Sequence, residues 1–114
     1  MKNINAVDFI EKNYPNTAKE FKRIQEEQYH LFCKKHMDYG STNISMGTGV
    51  GDQMDKNLSL VALCVRINDK IQRLLNLIVV NKRKANNEST DDAFKDLSVY
   101  GIIAQIVING KWGL

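Results

Sequence analysis

Proline occurs once in the 114 residues, at Pro15, and four of the seven glycines fall within one stretch, 40–51. A chain so poor in turn residues elsewhere lacks the punctuation of a β-sandwich, which points to helices. The length suits one core and one domain, residues 1–114. Hydrophobic residues make up 43% and charged residues 25%, the balance of a folded rather than a disordered chain.

Several classes are set aside by charge and hydropathy. A net charge of +3 is too small to indicate a nucleic-acid polymer or a membrane surface as partner. No apolar run approaches the roughly 18 residues of a membrane span. The first residues, MKNINAVDFIEKNY, contain acids and no apolar stretch of signal-peptide type. Cys33 and Cys64 have no CxxC spacing and no histidine at ligand spacing. They are expected to be buried thiols in a reducing cytoplasm.

Periodicity predicts four helices. The first covers Ala6 to Asn13, with Val7, Ile10 and Tyr14 at helical spacing. Pro15 breaks the chain, and Thr17 with Glu20 forms a capping box that starts a second helix running to Met37. Its apolar face holds Phe21, Ile24, Leu31 and Phe32. The glycine-rich segment 38–52, DYGSTNISMGTGVGD, reads as a loop. A third helix covers Leu58 to Val80, with Leu60, Cys64, Ile67, Ile71, Leu74, Leu75 and Ile78 on one stripe. Ser89 and Asp92 mark the start of a fourth helix that runs to Asn109 and stops at Gly110. The expected fold is all-α, a compact bundle of about four helices.

The end of the fourth helix, GIIAQIVI, is apolar on most sides. A small monomeric bundle buries one stripe per helix, so this segment is expected to meet another subunit in a dimer or tetramer. The alternative is a helix central to the monomer.

Three segments carry residues with chemistry. In RINDKIQRL, Arg66, Asp69, Lys70 and Arg73 fall within about 100° of a helical wheel, opposite the apolar stripe. Clustered cations seat phosphates, Arg through its planar fork and Lys as a mobile point charge. The plainer reading is a solvated face with Asp69 paired to Arg66 or Arg73. Glu88, Asp92 and Asp96 recur every four residues at the start of the fourth helix, a spacing by which bundles hold Mg²⁺. Acids in a first turn also suit the helix dipole, which accounts for Asp91 and Asp92. Asp96 lies further in, and its plain explanation is a salt bridge to a base of the third helix.

The loop offers Tyr39, Gly40 and Asn43, then GTGVG at 47–51, with Lys34 and Lys35 just before it. Glycines let backbone N–H groups approach an anion. The spacing matches no phosphate-loop motif, so the expected role is a lid over a nucleotide, with Tyr39 stacking on a base. His30 and His36 lie on different faces and read as surface residues, not a metal pair. Trp112 is expected to anchor the C-terminal residues by packing.

The ordered blocks KxxDYG (Lys35, Asp38, Tyr39, Gly40), RINDKIQRL and NESxxDxxxDLxxY (Asn87 to Tyr100) resemble the phage and bacterial family called nucleotide modification associated domain 1. More distantly, the layout is similar to the all-α nucleoside triphosphate pyrophosphatases of the MazG type. The resemblance implies a helical, oligomeric, nucleotide-handling protein in a phage setting, acting in the host cytoplasm. In those pyrophosphatases, paired acids on two helices bind Mg²⁺. Here Arg66, Lys70 and Arg73 stand where acids are expected, which removes ligands and adds charge suited to phosphates.

Two readings follow. In the first, a non-catalytic binder without a cofactor sequesters a linear or cyclic nucleotide, such as a host-defence signal. Lys35, Arg66, Lys70 and Arg73 would hold phosphates, Tyr39 or Tyr100 would meet a base, and Asn43 or Asp96 would read its edge or a ribose hydroxyl. In the second, a Mg²⁺-dependent nucleoside triphosphate pyrophosphatase uses Glu88, Asp92 and Asp96 as ligands, assisted by Asp69. Glu20, Glu26 and Glu27 are further candidate ligands.

Overall fold

The computed structural model describes residues 3–41, 53–80 and 89–114. Every regular element among them is helical. They are α1 (Ala6–Asn13), α2 (Pro15–Tyr39), α3 (Gln53–Leu75), which continues into a π-helical segment (Asn76–Val80), and α4 (Thr90–Ile108). None is long and apolar enough to cross a membrane.

The chain forms two compact units, Met1–Lys34 and Lys35–Leu114. The first contains α1 and the greater part of α2. Asn5 caps α1, its Oδ1 accepting from the N–H of Val7 at 2.9 Å and of Asp8 at 3.3 Å. Tyr14 then serves both helices. Its N–H closes α1 on the Ile10 carbonyl at 2.7 Å, and its carbonyl accepts from Ala18 at 3.0 Å. Pro15 therefore opens α2 rather than merely ending α1. Its fixed φ and missing N–H suit a first helical position, where that donor has no partner anyway. The expected start at Thr17 falls inside the helix. Lys22 pairs with Glu11 at 2.7 Å, and neither helix buries a residue.

The second unit is built on α3 and α4. Lys70 meets Asp96 at 3.0 Å, and the site of a Gly110 side chain lies 3.6 Å from Lys56 Nζ. An early residue of α3 thus sits by the end of α4, and a late one by its start, so the helices run antiparallel. The core is Leu63, Leu74, Leu77, Ala93, Ile103, Val107 and Trp112, with Ser59 buried among the polar residues. Each large side chain removed from water contributes about 1.5–3 kcal/mol before entropy is counted.

Local sequence explains the ends. Ser89 caps α4, its Oγ accepting from Asp92 N–H at 3.0 Å. Gly110, with φ of 70°, ends it as expected. Gly110 N–H bonds the Val107 carbonyl at 3.0 Å and Lys111 N–H the Ile106 carbonyl at 3.1 Å, which together form a Schellman stop. Gly40, with φ of 69°, ends α2 two residues beyond the expected Met37. At α3 the helix begins five residues before the expected Leu58, where Gln53 bonds Asn57 at 2.9 Å one turn on.

Two expectations are corrected here. The stripe predicted for α3 is only partly its buried face: Leu74 is buried and Leu60 and Ile67 are half-buried, but Cys64, Ile71, Leu75 and Ile78 are exposed, while Ser59, Leu63 and Leu77, off the stripe, are buried. Leu58, Val61 and Val65 make the helix apolar around most of its girth, so hydrophobic spacing alone does not select the face that meets α4. The two cysteines are exposed, not buried. The Tyr29 phenol is held above its ordinary pKa, first by hydrogen bonding with Cys33.

Candidate functional site

The cations of α3 lie on its packed side. Arg66, Lys70 and Arg73 are half-buried, whereas Asp69 beside them is exposed. On a helical wheel Lys70 falls between Leu77 and Leu63, amid the buried positions and not opposite them. Lys70 Nζ reaches Asp96 Oδ2 at 3.0 Å, and Lys35 Nζ approaches the other oxygen, Oδ1, at 3.8 Å. Side chains from the end of α2, the middle of α3 and the first half of α4 therefore converge on one carboxylate. Arg73 Nη1 extends the row, donating to the Ser89 carbonyl at 3.4 Å.

The Lys70–Asp96 pair is partly desolvated, with side-chain exposures of 21% and 26%. The Lys35 approach is looser, and the Lys35 side chain is 54% exposed. An exposed pair at that separation contributes under about 1 kcal/mol, so another anion exchanges for it at little cost.

Two aromatic residues follow the paired side chains by one turn on their own helices. Tyr100 follows Asp96 by one helical turn and is half-buried. Tyr39 follows Lys35 by one turn and is 65% exposed at the end of α2. The arrangement combines cations that suit phosphate oxygens with rings that suit a base.

The remaining candidates stand apart from this convergence or outside it. Asp92 is exposed in the first turn of α4, where its N–H serves the Ser89 cap. Gly40 supplies the left-handed turn after Tyr39. Asn43, the GTGVG run and Glu88 lie outside the described residues. Among the described residues, no group of three or more His, Cys, Asp or Glu side chains is placed to hold a metal ion.

Glu20, Glu26 and Glu27 are engaged within α2. Arg23 bridges Glu20 and Glu27, the latter at 2.7 Å, and Glu26 meets His30 at 2.9 Å. Hydrogen bonding to Glu20, first among its causes, raises the Arg23 pKa above its ordinary value.

Sequence reasoning placed His36 at the surface, yet it is half-buried against Trp112, ring centroids 4.8 Å apart in an edge-to-face arrangement. Trp112 anchors the last residues as expected, and its indole N–H donates to the Ser41 carbonyl at 2.8 Å. This ties the residues after α4 to those just beyond α2. Ser59 also escaped notice. It is buried on α3 seven residues before Arg66, and its Oγ has no hydrogen-bond partner among the described residues. The chain matches no known protein family, curated protein or solved structure with which it was compared.

Proposed function

We propose that this protein binds and sequesters a phosphorylated nucleotide, linear or cyclic, without hydrolysing it, and does so as a homo-oligomer. The observation that carries the reading is the convergence of Lys35 and Lys70 on the two oxygens of Asp96, with Arg66 and Arg73 along the same side of α3. In the unliganded protein the Asp96 carboxylate occupies the place of an anion between two ammonium groups. A phosphate would take over the Lys35 interaction first, because that is the looser one, and then compete for Lys70. Arg66 and Arg73 would add guanidinium donors, and Tyr39 or Tyr100 would cover a base. The resemblance to nucleotide modification associated domain 1 points the same way, towards nucleotides in a phage setting. An apolar end to α4 supports the assembly: Ile103 and Val107 are buried, while Ile102 and Ile108 stay exposed.

The test is a recovery assay. The pure protein is incubated with linear and cyclic nucleotides, with Mg²⁺ and separately with a chelator. Free ligand is removed, the protein is heat-denatured, and the released nucleotide is separated on a column. Intact nucleotide released in both conditions is the expected result. Monophosphate and pyrophosphate formed only with Mg²⁺ would replace this reading with the pyrophosphatase one. No retention of any nucleotide would leave the convergence as a structural ion pair alone.

A further inference from the structure

The outward side of α3 carries a second pattern. Met54, Leu58, Val61, Val65, Asn68, Gln72 and Leu75 alternate at spacings of four and three residues. These are the core positions of a heptad repeat, sustained for about three heptads over roughly 30 Å of helix. All seven are exposed, the five apolar ones from 47% at Leu75 to 72% at Met54. None is charged, and neither are Asn57, Cys64, Ile71 and Ile78 along one border. In a chain with 25% charged residues, the solvent side of a long helix would ordinarily carry several charges.

We infer that this seam is a self-association face, on which α3 pairs with α3 of a second copy of the chain about a two-fold axis. The inference rests on the assembly part of the reading above and not on its nucleotide part. A second copy is favoured over a different partner by what the seam lacks and by the two amides within it. The seam positions themselves carry no charge, with exposed Asp69 on the other border, so they give a foreign protein little to select by charge, whereas a copy of the chain meets them without repulsion.

The amides fall where self-pairing needs them. In a parallel pair each residue faces its own copy, so Asn68 meets Asn68 and Gln72 meets Gln72. In an antiparallel pair centred near residue 70, Asn68 faces Gln72. In both cases amide meets amide and apolar layers lie on either side, the device by which buried amides set register in coiled coils. The seam also adjoins an apolar groove of about 280 Å³, whose lining includes Ile71, Leu75, Ile78 and Phe94. Pairing along the seam would cover its rim. The face turned to α4 is a different one, so pairing leaves the Lys70–Asp96 contact in place.

The experiment measures the mass of the full-length chain by light scattering after size exclusion, from micromolar to submillimolar concentration. The wild-type chain is expected at an even multiple of its 13.0 kDa. Val65→Glu is expected to halve that mass with helical circular dichroism unchanged. Gln72→Glu, at an exposed polar position, gives the same reading should Val65→Glu lose helicity. In a Cys33→Ser, Cys64→Ser background, oxidation is expected to link two chains through Asn68→Cys if they are parallel. If they are antiparallel, the link forms only when Gln72→Cys is added. A wild-type mass of one chain would overturn both this inference and the assembly proposed above. An assembly untouched by both glutamates, with no interchain disulfide, would overturn this inference alone and move the contact to another face, such as the end of α4.

Discussion

Lys70 Nζ lies 3.0 Å from Asp96 Oδ2, and the two side chains join the middle of α3 to the first half of α4. The pair sits amid apolar packing, so removing either partner alone strands the other in a partly desolvated place. Lys70→Met is expected to destabilise the fold by about 1–2 kcal/mol, read as a lower urea midpoint at constant slope. Asp96→Leu added to it should recover most of that loss, because two apolar groups then meet. A double variant as unstable as the sum of the singles would show that the two side chains do not act as a pair.

The same two residues separate binding from folding. Asp96→Asn removes the internal competitor for the lysines, so nucleotide retention should be kept or strengthened. Lys70→Met should weaken it about tenfold or more, the loss of one charge-assisted contact. Titration calorimetry with the nucleotide recovered in the release assay checks both directions. Weaker retention by Asp96→Asn would instead assign Asp96 to a ligand hydroxyl or base edge.

Trp112 fastens the end of the chain to Ser41. Trp112→Phe keeps an aromatic ring but loses the donor and part of the buried volume, at an expected cost of about 1–2 kcal/mol. Trp112→Ala also empties a buried site and should cost about 3 kcal/mol or more. Thermal melts of the two variants should therefore rank wild type, Phe, Ala, with the larger step at the second.

Ser59 is buried with a hydroxyl that bonds to nothing among the described residues. Ser59→Ala should raise stability by up to about 1 kcal/mol, because a desolvated polar group disappears and no hydrogen bond is lost. A fall in melting temperature would reveal a partner for that hydroxyl.

Gly113 and Gly110 both have left-handed φ, 79° and 70°. A Cβ at Gly113 would lie 3.1 Å from Ser41, and one at Gly110 would lie 3.6 Å from the mobile end of Lys56. Gly110→Ala should cost about 1 kcal/mol of conformational strain. Gly113→Ala carries that strain and a crowding cost on top, and should melt lower.

What was legible in the sequence was local. The limits of α1, the Ser89 cap and the Gly110 stop depend on residues within one turn of each other, and each formed as read. Pro15 was read as a breaker because a proline interrupts a helix anywhere but its start, and whether it begins one depends on Tyr14 closing the preceding turn. The buried side of α3 was harder. With apolar residues on both sides, spacing predicted the stripe through Cys64 and Ile71, whereas the side holding Ser59, Leu63, Lys70 and Leu77 is the one that packs, and Leu74 at its edge is shared by both. The salt bridge offered as the plain explanation of Asp96 was nearer the outcome than the wheel. Opposite charges on two helices constrain a pairing that hydrophobicity leaves open. The approach of Lys35 and the burial of His36 under Trp112 join residues far apart in sequence, and no local spacing encodes them.

Leucine, isoleucine and valine grip one another nearly as well after a helix slides by a turn, and an interface made of them alone tolerates such slippage. The ammonium group set among those side chains on α3 does not. One turn of travel, about 5 Å, would part it from its carboxylate and leave both charges starved of water. The ion pair therefore works as a vernier between α3 and α4: it adds modestly to the strength of their packing and forbids every alignment but one.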